Sequence, residues 1–200
     1  MSNNEEKIKV WDVPLRLFHW TLVLSFTAAY LTAEFHIGFV HVWIGYFLCL
    51  LLAFRVVWGF AGNRYARFAS FVFSPKETLT YLRAMILMQG NPKHYLGHTP
   101  AGALMIFTLL ALLALIFLTG LTTLAVIDFE GPLLFLIDYV DDDTSYAVRH
   151  LHDWLVDVAL MLIPLHLIGV VAGSIQHKEN LVRAMFTGKK KNVSTDVSGH

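Results

Sequence analysis

Apolar residues run almost unbroken through four segments of the chain, about 15–33, 39–60, 101–126 and 151–175, with polar stretches between them. At 1.5 Å of rise per helical residue, each is long enough to cross about 30 Å of hydrocarbon. The pattern predicts an all-α fold, an integral membrane four-helix bundle, organised as a single membrane domain over residues 1–200. Between the second and third segments, "FSPKETLTYLRAMILMQGNP" carries Ser74 and Glu77 at capping-box spacing, Pro75 at the first helical position and a Gly-Asn-Pro stop. This predicts a short helix lying along the membrane surface. The stretch "GPLLFLIDYVDDD" reads as a short interfacial segment, and the polar "KKKNVSTDVSGH", about 189–200, as a disordered tail. No internal repeat or low-complexity tract is visible.

Composition agrees with the pattern. The 200 residues are 56% hydrophobic and 15% charged, with a mean hydropathy of +0.57, well outside the balance of a soluble domain. The opening "NNEEKIKVWDVPLRLFHW" is a poor signal-peptide head, and no small-residue cleavage site follows the first apolar run, so that run is expected to stay as a span. The single cysteine, Cys49, lies inside the second run, which excludes a disulfide framework and a thiolate metal site. Lysines and arginines fall before the first segment (Lys7, Lys9, Arg16), between the second and third (Arg64, Arg67, Lys76, Arg83, Lys93) and in the tail (Lys178, Arg183, Lys189 to Lys191). The stretch after the third segment holds Asp128, Glu130, Asp138 and Asp141 to Asp143, and no basic residue before Arg149. The positive-inside rule then places the N- and C-termini and the middle loop in the cytoplasm.

Within these apolar segments stand four histidines: His19, His41, His152 and His166. Polar side chains are costly at membrane depth unless they meet a partner, so each is a functional candidate, with hydrogen bonding to a neighbouring helix as its plain alternative. His152 and His166 are fourteen residues apart, close to four helical turns, and so share a face about 21 Å apart along the axis. His150 points roughly 160° away from His166 and reads as an interfacial or packing residue. By depth, His19 pairs with His166 near the cytoplasmic side and His41 with His152 near the outer side. An imidazole pair bridging two antiparallel helices suits the two axial positions of haem iron, and a helical bundle can hold such a cofactor in its core.

Glycine and arginine extend the reading. Gly45, one turn after His41, and Gly169, three residues after His166, leave room on each ligand's own face for a flat macrocycle, although glycine is common in membrane helices anyway. Pro164 is expected to kink its helix, with packing as good an explanation as function. Haem propionates need cations: Arg149 stands one turn before His152 and against the charge bias, and Arg16 one turn before His19. Arg55 is a third candidate, with snorkelling to the interface as its alternative.

At "VWDVPLRLFHW", "RYARF", "GHTPAGALM", "HDWLVDVALMLIPLH" and "HKENLVRAMFTGK", the chain resembles the bacterial dihaem cytochrome b561 family, which includes b-type subunits of Ni,Fe-hydrogenases. The resemblance runs from Val10 to Lys190. It implies two haem b groups whose iron is ligated by His19, His41, His152 and His166, a bacterial cytoplasmic (inner) membrane location, and electron transfer between quinone and a periplasmic protein such as a cytochrome c or a hydrogenase. No hydrogenase-docking feature is matched. A variant within the family oxidises superoxide and reduces quinone. From a different class, four histidines could serve a divalent-metal transporter, but their pairs lie toward opposite faces instead of converging at the midplane, and no intramembrane carboxylate joins the inner pair. A structural subunit without cofactor would leave the histidine geometry unexplained. Asp138 and Asp141 to Asp143 could steer a basic partner, or be acidic from topology alone. A homodimer is compatible with the sequence, and nothing calls for nucleic acid.

Overall fold

Short polar residues set where the helices begin. In the computed structural model, which describes residues 7–87, 95 and 97–191, Asp12 Oδ1 accepts from Leu15 N at 2.9 Å and opens α1 (Val13–Glu34). Helix α2 spans Gly38–Ala61, and Ser74 Oγ accepts from Glu77 N at 3.2 Å to start α3 (Pro75–Ile86). Thr99 Oγ1 accepts from Gly102 N at 3.1 Å ahead of α4 (Pro100–Val126). Asp141 Oδ1 accepts from Thr144 N at 2.9 Å ahead of α5 (Asp142–Gln176), and Asn180 Oδ1 from Arg183 N at 2.7 Å ahead of α6 (Leu181–Thr187). Each cap satisfies an amide that the first helical turn leaves without an intrahelical partner.

Three helices, α2, α4 and α5, are long and apolar enough to cross a membrane, and little of their apolar surface is buried inside the protein. Leu50, Phe60, Met161 and Ile175 are all exposed, as lipid-facing residues are. The chain is therefore a mostly helical, multi-pass membrane protein. Helix α1, where the sequence places the first span, has 22 residues but is less apolar, because Thr21, Ser25, Thr27, Tyr30 and Thr32 interrupt it.

Boundaries differ from the sequence reading in two places. Helix α5 starts nine residues before the expected position at 151, because Asp141 caps it and Asp142 and Asp143 sit in its first turn, where carboxylates favour the positive helix end. The hydrogen bonds from Thr144 hold the Asp141 carboxyl below its ordinary range. Lys189–Lys191, assigned to a disordered tail, form strand β2, which pairs antiparallel with β1 (Lys7–Lys9) with Ile8 opposite Lys190. Residues 192–200 of that tail, and the Gly90, Asn91 and Pro92 stop, lie outside the described residues. The expected short helix is present as α3, and the stretch after α4 contains a 3₁₀ helix over Leu134–Tyr139.

The chain divides into two compact units. The first holds the chain up to Val23, Ala53–Ile106 and the chain from His166 on; the second holds Leu24–Leu52 and Phe107–Leu165. In the first, Val10, Trp11, Leu15, Phe18, Ala66, Phe71 and Ala184 are buried. In the second, Leu112 and Ile116 of α4 pack with Leu155 and Ala159 of α5.

Gly188 joins the two ends of the first unit. It terminates α6 in the left-handed region at φ 77°, donates to Ala184 O at 2.8 Å, and its carbonyl accepts from Val10 N at 2.8 Å and Trp11 N at 3.1 Å. A Cβ there would lie 2.4 Å from Trp11 O. Gly188→Ala is expected to cost at least about 1–2 kcal/mol from the left-handed backbone alone, with the clash added. Thermal unfolding followed by tryptophan fluorescence should show a clear drop in midpoint for Gly188→Ala and little change for Gly38→Ala, whose new Cβ meets nothing within 4 Å.

Candidate haem sites

Each proposed histidine pair falls within one unit: His41 and His152 in the second, His19 and His166 in the first.

In the second unit, the His41 and His152 rings have centroids 6.4 Å apart and planes at 89°. His41 Nδ1 lies 2.9 Å from Ala29 O on α1, and His152 Nδ1 lies 2.9 Å from Ile116 O and 3.3 Å from Thr119 Oγ1 on α4. A carbonyl can only accept, so Nδ1 carries the proton in both rings and Nε2 keeps its lone pair. Anchoring one ring nitrogen on a backbone carbonyl is how metal-binding histidines fix their tautomer and orientation. Metal-to-imidazole bonds of about 2 Å on each side, plus the two ring radii, give nearly the centroid separation found here.

Close approach of α4 makes this possible. A Cβ on Gly120 would lie 2.9 Å from His152 Cε1 and 3.2 Å from Nδ1, so only glycine admits the imidazole there. At Gly45 a Cβ would meet nothing within 4 Å, which is the open space expected one turn from His41. The residues present fit a flat, bis-imidazole-ligated group.

The first unit is arranged differently. His19 and His166 lie within electrostatic reach of each other, and the space at Gly169 is open to 4 Å. His19 Nδ1 is buried with no hydrogen-bond partner among the described residues. Its ring meets the edge of Trp20 at 5.1 Å, and Trp20 in turn stacks on Phe186 of α6 at 4.3 Å.

Of the arginines, Arg149 is exposed and within electrostatic reach of His152. Arg16 is half-buried; its Nη1 donates to Phe186 O, and its Nε to Asp12 O at 3.4 Å. Arg55 does not snorkel. It is 3% exposed, its Cζ lies 4.6 Å from the Phe68 ring centroid, and Nη1 is buried without a partner among the described residues. His150 is exposed, and α5 runs through Pro164 as one helix.

Sequence reasoning missed Gly120, the Ala29 and Ile116 carbonyls, and a polar cluster in the first unit. There the His98 ring sits between Trp11 and Phe71, each with its centroid 4.4 Å away. Burial, then the charges of Lys190 and Arg55, pull its pKa down to about 3, so it is neutral at physiological pH. Burial also lowers the Lys190 pKa, against the opposing pull of Glu179, with which Lys190 pairs at 3.7 Å. Tyr81 Oη and His177 Nε2 are 2.9 Å apart, and Tyr95 Oη donates to Glu77 Oε1 at 3.0 Å.

Comparison with known proteins gives this geometry a family. Curated relatives include three proteins each described as "Probable Ni/Fe-hydrogenase B-type cytochrome subunit". The one from Rhodobacter capsulatus is 23% identical over 92% of this chain and 81% of its own length. That from Rhizobium leguminosarum bv. viciae is 24% identical over 92% and 89%, and that from Azotobacter vinelandii is 29% identical over 53% and 57%. No solved structure matches. Residues 10–188 match the family described as prokaryotic cytochrome b561. With that match covering most of its length, the chain belongs to the prokaryotic cytochrome b561 family, b-type haem proteins of membrane electron transfer.

Proposed function

We propose that this chain is a dihaem b cytochrome that carries electrons across the bacterial cytoplasmic membrane, between a redox partner on the outer side and the quinone pool. The observation that carries the reading is the His41 and His152 pair, with ring centroids 6.4 Å apart and both Nδ1 atoms on helix carbonyls. His41 and His152 hold one haem and His19 and His166 the other. Haem b, when bound, supplies reversible one-electron chemistry.

The chain's own residues set the conditions for it. Ala29 O and Ile116 O keep the two outer imidazoles in the ligating tautomer, Gly120 makes room for the His152 ring, and Gly45 and Gly169 keep helix surfaces clear. Arg149 on the outer side and Arg16 on the inner side serve propionates. Helix α1 is the fourth span, since 22 residues rise about 33 Å. The whole chain acts as one membrane domain, with its lysine- and arginine-rich stretches in the cytoplasm.

The names of the relatives support a hydrogenase as the outer partner. A bare divalent cation fits less well. Among the described residues no three His, Cys, Asp or Glu side chains come together, whereas a zinc site takes four ligands.

A reduced-minus-oxidised visible spectrum of the purified chain should show b-type bands, and a pyridine-haemochrome assay against amino-acid analysis should give two haems per chain. A purified, folded chain without these bands overturns the reading, and a ratio of one removes a histidine pair from it.

A further inference from the structure

Six buried side-chain polar atoms have no hydrogen-bond partner among the described residues, and five belong to the first unit: His19 Nδ1, Trp20 Nε1, Arg55 Nη1, His98 Nδ1 and Gln176 Oε1. A burial that strands so many polar atoms in one region is expensive unless a polar group completes it. Arg55 is the most demanding of them, because it brings a charge. The nearby Asp12 offsets that charge at a distance, but its oxygens are engaged elsewhere, Oδ1 with Leu15 N at 2.9 Å and Oδ2 with Trp58 Nε1 at 3.0 Å. Lys190, the other buried cation of this cluster, already has Glu179 at 3.7 Å and Gly97 O at 3.3 Å.

His98 is close enough to Arg55 to feel its charge, and the aromatic rings of Phe68 and Phe71, 6.0 Å apart, connect the two. A neutral imidazole can donate from Nδ1, and a guanidinium Nη1 always donates. Together they suit a carboxylate, whose negative charge also relieves the cost of the buried cation. Depth points to which carboxylate. Arg55 lies six residues from the end of α2 and His19 six residues from the start of α1, about 9 Å along each axis, in the same unit.

We propose that Arg55 and His98 form the carboxylate-binding site of the first unit and hold a propionate of the haem ligated by His19 and His166. This rests on the bis-histidine reading and adds two residues that its ligand geometry does not require.

The test uses the full-length His152→Ala chain, which on that reading retains only the first-unit haem. It is stripped and reloaded in detergent with either protohaem or protohaem dimethyl ester, in which both carboxylates are masked, and haem release to an acceptor protein is timed. The ester is expected to leave about ten- to a hundredfold faster, the factor for a lost charge-assisted hydrogen bond. Adding Arg55→Gln should speed protohaem release by a similar factor and leave the ester rate unchanged, and His98→Leu should give the same pattern with a smaller step. Equal release of the two haems from the chain that retains Arg55 overturns the proposal without any substitution at that site. So does an Arg55→Gln variant that loses both haems equally faster, since that marks a structural role. A chain that takes up neither haem overturns the bis-histidine reading itself, and the proposal with it.

Discussion

Replacing His152 with alanine is expected to halve the haem content, from two per chain to one, while His150→Ala keeps both. The two residues are neighbours but one points inward and one does not. His152 is half-buried, with Nδ1 held 2.9 Å from Ile116 O and its ring 6.4 Å from that of His41; His150 is exposed. Removing one imidazole would leave a bound haem one of its two proposed protein ligands, and it also strips the contact through which α4 orients the pair. The remaining haem should keep its spectrum and potential, because its proposed ligands, His19 and His166, belong to the other unit. Haem-to-protein ratio and a redox titration with two resolved steps are the measurements. If His152→Ala retains two haems, the ring pair is not a ligand pair; if His150→Ala loses one, the assignment between these neighbours is reversed.

What could be read from sequence here is what depends on periodicity. Fourteen residues on one helix put His152 and His166 on a common face, and counting depth from the helix ends sorts four histidines into two proposed pairs, each with both members in one compact unit. Gly45 and Gly169 follow from the same arithmetic, and both positions are open in the structure. The rest depends on which backbone lies opposite, and one helix's periodicity carries no information about another helix's carbonyls. That Ala29 O and Ile116 O receive the two Nδ1 atoms, and that Gly120 gives way to His152, are properties of packing between helices. Arg55 shows the limit most clearly. Its position near a helix end is the usual setting for snorkelling, yet Phe68, from the segment after α2, closes over its guanidinium. The early start of α5 was visible in principle, since Asp141 followed by two further carboxylates is an N-terminal signal; reading the acidic stretch as a loop depleted in Lys and Arg hides it by giving the same residues a second explanation.

Filling the space beside a ligand should remove a haem without harming the fold. Gly45→Leu is expected to eliminate the haem of His41 and His152 and spare the other, and Gly169→Leu to do the reverse. The argument turns on what each new side chain meets. A Cβ at either glycine contacts nothing within 4 Å, so the new side chain starts into open space, and exchange of glycine for leucine inside a helix favours the helical state by roughly 0.5–1 kcal/mol. The haem-free variant should therefore unfold at or slightly above the temperature of the haem-free parent. A macrocycle lying against α2 at His41 competes for the same volume as the leucine one turn away, and close-packed interiors do not absorb an added side chain cheaply. Gly120→Leu gives the contrasting case: there the new Cβ strikes His152 itself, 2.9 Å from Cε1, and haem-free stability should fall as well. Paired measurements of haem content and of haem-free thermal midpoint separate these outcomes. Should Gly45→Leu retain two haems at full occupancy, the open space beside His41 faces lipid instead of a cofactor, and the haem plane must approach that histidine from another side.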